Sequence, residues 1–134
     1  MHLIKASQVV SEPATGDLYV RGDIGFALLA GAPATKQVDV YTVDFAAGAR
    51  NRVHIHKHDQ ILIATSGQGI IADVDGEQIM EPGDTVTIPA GYPHWHGATA
   101  DHAFSHITIA LPGDEIEIVD TDPRGAWGAL PENG

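Results

Sequence analysis

The chemistry-bearing residues of this chain are histidines, and they are crowded. Seven of the eight fall in one stretch: His54, His56, His58, His94, His96, His102 and His106. HIHKHDQ at 54–60 sets imidazoles on alternate positions, and PHWH at 93–96 repeats the spacing. Alternate residues of a strand point to one face, about 6–7 Å apart, so each His-x-His pair places two rings side by side. One pair alone suits a polar strand face equally well. Two pairs, each behind a glycine turn, point to a metal site, because imidazole suits zinc, copper, iron, nickel and, beside oxygen ligands, manganese. His58 shares the parity of His54 and His56, but a turn is expected after His56, so it reads as a solvated loop histidine. His102 reads as a surface residue near a loop.

The elements that must position these rings are short and β-rich. Strands are predicted near 38–45, 51–56, 60–65, 69–74, 77–80, 85–88, 102–110 and 115–119, with AAGA, SGQG, DG, EPGD, PAGYP and LPGD between them. Asp75-Gly76 reads as a two-residue type I′ hairpin turn, with glycine supplying the positive φ. No stretch has a sustained helical period. Many short strands at 8–12-residue spacing indicate an all-β sandwich or barrel. The first 36 residues are expected to add edge strands at 18–20 and 24–29, and residues 120–134 form a Gly/Pro-rich tail that Trp127 can pin to the body. Tyr92 and Trp95 read as core aromatics closing a barrel mouth. The sidedness of HAFSHITIA stays open: His106 shares a face with Phe104, Thr108 and Ala110, whereas the opposite face carries Ile107 and Ile109.

Composition removes several function classes. The 134 residues suit one domain, and there are no cysteines, so thiolate chemistry and cysteine-held metals are excluded. Eighteen acidic residues against seven basic ones give a net charge of −11, which repels a phosphate backbone; no nucleic-acid partner is expected. The first ten residues lack the apolar core of a signal peptide, and GFALLAGAPA at 25–34 is far short of a membrane span, so a cytoplasmic protein with no membrane partner is expected.

The spacing also resembles a known family. Gly48-x5-His54-x-His56-x3-Gln60-x6-Gly67 resembles the first cupin motif, and Gly83-x5-Pro89-x-Gly91-x2-His94 the second. The resemblance covers 48–98 firmly and implies a double-stranded β-helix, or jelly-roll barrel, over the whole chain, with the core motifs at about 37–119. It implies a divalent metal inside the barrel on His54, His56, Gln60 and His94, with manganese the first choice among manganese, iron, nickel, copper and zinc. Two positions depart from the pattern: Gln60 stands where glutamate is usual, and Ala98 where the second motif usually ends in asparagine. The amide oxygen of Gln60 can still bind a metal, but its NH2 needs an acceptor of its own. A neutral fourth ligand leaves the ion a stronger Lewis acid and disfavours a trivalent state.

HIHKHDQILIATSGQG, EPGDTVTIPAGYPHWHGA and HAFSHITIA together resemble the small bacterial cupins that include manganese-dependent hydroxynitrile lyases. That resemblance implies cleavage of a cyanohydrin to aldehyde and cyanide, with His106 as candidate general base, His96 at or beside the metal, and either histidine, His106 or His96, taking the hydroxyl proton. It also implies a small-molecule substrate and, by analogy with such cupins, a homodimer. A cupin dioxygenase or oxidoreductase, or a non-catalytic metal- or ligand-binding cupin, is the alternative.

Overall fold

The computed structural model describes residues 1–119, and the tail with Trp127 lies outside the described residues. Among the described residues a short 3-10 turn (Ala6–Gln8) precedes thirteen strands. Six of them form one antiparallel sheet in the order β1 (Glu12–Pro13), β3 (Ile24–Ala30), β4 (Asp39–Phe45), β12 (Phe104–Ala110), β7 (Gln60–Gly67) and β10 (Thr85–Ile88). Five form a second sheet in the order β2 (Tyr19–Arg21), β5 (Arg50–Asn51), β11 (Trp95–Ala98), β8 (Gly69–Asp73) and β9 (Gly76–Met80). A third, two-stranded sheet pairs β6 (His54–His56) with β13 (Ile116–Ile118). This is the all-β jelly-roll expected from the motif spacing.

The sheets enclose an apolar floor. Ile24, Val43, Phe45, Ala64 and Phe104 from the first sheet pack with Met80 and Ala98 from the second, and with Ala49 just before β5. Burying the isoleucine, valine, phenylalanine and methionine side chains among these stabilises by about 1.5–3 kcal/mol each, so the floor anchors whatever stands on it. A smaller cluster of Val53, Ala72 and Trp95 lies apart from it. On β12, burial alternates strictly, with Phe104, His106, Thr108 and Ala110 buried and Ile107 and Ile109 only partly so. The face bearing the histidine is therefore the interior one. The isoleucines line the outer face, paired across β12 with Ile63 and Ile61.

Several details differ from the sequence reading. The predicted strand over 51–56 is two strands, β5 and β6, interrupted at Arg52 and Val53. Strand β11 stands where the sequence pattern gives turn and loop; WHGA has no β-branched residue, yet every one of its positions is buried by tertiary packing. Gly97 on β11 lies so close to β5 that an added Cβ would run into the Ala49 carbonyl and Arg50, which is why two strands can meet there. The hairpin loop is Val74–Asp75, one residue earlier than expected: Asp73 pairs with Gly76, and neither Val74 nor Asp75 has positive φ, so the turn is not type I′. Trp95 is buried, with the Arg50 guanidinium 3.7 Å from its ring centroid. Tyr92, expected as a core aromatic, is 40% exposed and its hydroxyl donates instead to Asp73 at 2.6 Å.

Candidate metal centre

Two of the motif histidines come from β6 and a third from the turn that crosses it. His54 and His56 are both buried while Ile55 between them is less so, as alternation on a strand requires. His94 joins them through a backbone bridge, donating to and accepting from His54 at 3.1 and 2.9 Å. The ring centroids of His54 lie 4.4 Å from His94 and 4.9 Å from His56, and His56 lies 5.5 Å from His94. One nitrogen from each can be chosen so that all lie within 4.8 Å of one another.

Hydrogen bonds decide which nitrogen that is. His54 Nδ1–H donates to the Arg52 carbonyl at 2.6 Å, His94 Nδ1–H to the Tyr92 carbonyl at 2.8 Å, and His56 Nδ1–H to Asp114 Oδ2 at 2.6 Å. Each ring is thereby held in the tautomer whose Nε2 lone pair is free. The Nε2 atoms of His56 and His94 are buried without a partner, and so is Gln60 Oε1. Buried polar atoms are nearly always satisfied. Orphaned acceptors on these neighbouring residues are what a divalent cation would complete, so the donor set fits such an ion. Burial pushes the pKa of His94 down to about 4, against the Tyr92 bond that raises it. Burial, and then the neighbouring His94, push His54 well below the usual range. Both are neutral at pH 7, the state a metal needs.

Asp114 carries no signal of its own in the sequence. It arrives with the segment before β13, 58 positions from His56, and its second oxygen accepts the backbone N–H of His58 at 3.1 Å. His58 itself is partly buried outside the metal-type cluster, and His102 is exposed, with Nδ1 3.3 Å from Thr99 Oγ1. The acceptor that the Gln60 NH2 needs is Tyr41: Gln60 Nε2–H donates to its hydroxyl at 3.2 Å. Burial pushes Tyr41 up to about 12, while the hydrogen bond from Gln60 works the other way, so the phenol stays protonated.

His96 and His106 stand beside this cluster, their ring centroids 5.0 Å apart and edge to face. Phe45 supports both, at 5.6 and 5.8 Å. Asn51, which sequence reasoning also misses, fixes His96: its Oδ1 accepts the His96 backbone N–H at 2.9 Å, which turns its Nδ2 toward His96 Nε2 at 3.1 Å. The Nε2 lone pair is thus taken and the ring hydrogen sits on Nδ1. His106 Nδ1 faces Thr108 Oγ1 at 3.1 Å, and its Nε2 has no partner. Burial lowers the pKa of His106 to about 4 and that of His96, helped by His106, well below the usual range. Gln60, His54, His56, His96, His106 and Tyr41 line a common cavity of about 160 Å³, with Phe26 and Ile116 also on its wall. A larger cleft of about 560 Å³, lined largely by β8, β9 and β10, has His94 on its wall.

A jelly-roll barrel with an interior cluster of three histidines and a glutamine defines the class. The chain belongs to the cupin family: residues 41–109 match the Cupin domain. Over 80 residues it is 40% identical to the (R)-mandelonitrile lyase of Granulicella tundricola, an alignment covering 58% of this chain and 60% of that relative's length. Against a cupin-like protein from Thermotoga maritima it is 30% identical, with a TM-score of 0.74 over 90% of this chain and 87% of that one. The polyketide cyclase RemF from Streptomyces resistomycificus, 15% identical, shares the fold alone, with a TM-score of 0.77 over 92% of this chain and 89% of that one. No helix among the described residues is long and apolar enough to cross a membrane.

Proposed function

We propose that this cupin is a metal-dependent lyase that cleaves a cyanohydrin into an aldehyde and cyanide. The observation that carries the reading is one cavity lined by His54, His56 and Gln60, three of the four metal-type residues, and by a separate neutral histidine, His106, with an unpaired Nε2. The identity to an (R)-mandelonitrile lyase supports the same reaction class. His54, His56, His94 and Gln60 would hold the ion, with manganese the first candidate. When bound, that ion supplies a net local charge of about +2, not offset by any carboxylate ligand, which favours a departing anion.

The chain's own residues supply the rest. Thr108 Oγ1 stands 3.1 Å from His106 Nδ1 and can accept its Nδ1–H, the tautomer that would leave the Nε2 lone pair to the cavity. Nε2 takes the proton of the cyanohydrin hydroxyl; the O–H electron pair becomes the second bond of the C=O, and the C–C bond to the nitrile breaks with its pair on cyanide. His96 cannot be that base, because Asn51 occupies its Nε2; its Nδ1–H is a donor for the anion or the new carbonyl. Phe45, Phe26 and Val43 give the cavity apolar walls, and an interaction beside such walls is stronger than one in open water.

The test is benzaldehyde release from mandelonitrile by the metal-loaded protein, compared with His106→Ala. Loss of a positioned general base costs about 10²–10⁴-fold. Release unchanged in His106→Ala removes that histidine from the chemistry.

A further inference from the structure

Glutamine is a hazardous choice of metal ligand. Its amide has one end that binds a cation and one that cannot, and a half-turn of the terminal torsion exchanges them. Glutamate has no such problem, since either carboxylate oxygen serves. Something must therefore hold the Gln60 amide the right way round.

We propose that Tyr41 is a positioning residue that makes Gln60 competent as a ligand, by accepting Nε2–H so that Oε1 faces the imidazoles. The bond is 3.2 Å long and links β7 to β4, two strands separated in the sheet by β12. Gln60 is 3% exposed and its Oε1 is buried without a partner. Tyr41 is itself fixed. Its ring lies 4.8 Å from that of Phe26, and its hydroxyl also interacts with the hydroxyl of Thr108, the residue that faces His106. With Oε1 committed to the ion, Nε2 must donate, and the phenol oxygen is the acceptor in reach. Tyr41 matters in this way only while residue 60 is an amide, so the site is built for glutamine and not merely tolerant of it.

The inference rests on the metal-binding part of the proposed function, but its test needs no substrate. Mn2+ affinity is measured by competition with a chromophoric chelator for the parent protein, Tyr41→Phe, Gln60→Glu and the double variant, with thermal melts as a check on folding. Partners that orient metal ligands are worth about 10–100-fold in affinity. Tyr41→Phe is expected to weaken Mn2+ binding about tenfold beside the native Gln60, and less than about twofold in the Gln60→Glu background. Thr108→Val, which removes the other hydroxyl but leaves the amide's acceptor, is expected to change affinity less than about twofold. Equal weakening by Tyr41→Phe in both backgrounds, or none beside Gln60, overturns the assignment. Normal Mn2+ affinities with no mandelonitrile cleavage would instead count against the lyase reading and leave this one standing.

Discussion

Four buried histidines whose charged forms are all disfavoured make the metal-free protein acid-labile in a calculable way. His94 and His106 fold with pKa values of about 4, against the ordinary value of 6.5. The unfolded chain therefore binds more protons below pH 6.5, and stability is full above that value and falls as pH falls toward 4. Between pH 7 and pH 5 each group costs about 1.8 kcal/mol, about 3.6 kcal/mol for the pair. His54 and His96, lowered for the same reason, add to the loss. Ordinary carboxylates hardly titrate in that window, so the effect belongs to histidine. Against a typical stability of about 5–15 kcal/mol this is a large fraction. Urea unfolding of chelator-treated protein, followed by far-UV circular dichroism at half-unit pH steps, measures it. His106→Leu is expected to reduce the pH 7 to pH 5 loss by about 1.8 kcal/mol. An unfolding midpoint that does not move between pH 7 and pH 5 refutes the reasoning.

Asp114→Ala frees the His56 ring to rotate and is expected to weaken Mn2+ binding about 10–100-fold with little change in fold, read by the same chelator competition. Gln60→Glu is expected to tighten metal binding while lowering mandelonitrile cleavage, because the added negative charge weakens the Lewis acid; higher cleavage in that variant would show the charge reasoning to be wrong. Oxygen uptake by the metal-loaded protein with thiols, diketones or flavonols is expected to be absent, and robust uptake would favour a dioxygenase.

The neighbourhood of His54, His56 and His94 is legible in the sequence because strand alternation is local and both motifs carry their own glycine frames. Gly67 is an example: at φ +77 it is a position where an added Cβ would strike the Ala103 carbonyl, so the residue type itself marks the turn. The groups that orient those rings are not legible. Asn51 meets His96 across 45 positions, and Asp114 meets His56 across 58, through strand pairings that no local pattern specifies. Tyr41 reads as one more β-former in VDVYTVDF, and only the register that sets β4, β12 and β7 side by side brings it to Gln60. Strand β11 escapes the sequence pattern for the related reason that tertiary packing, not propensity, makes WHGA extended. The inward face of β12 is ambiguous because its interior positions are the less uniformly apolar ones. A buried site inverts the usual pattern there.

The most direct measurement is a titration of metal-free protein with Mn2+ while benzaldehyde release from mandelonitrile is followed. The expected result is cleavage that rises in proportion to bound metal, saturates at a single ion per chain, and is abolished by a chelator. Full metal occupancy with no release above the metal-free control would contradict it.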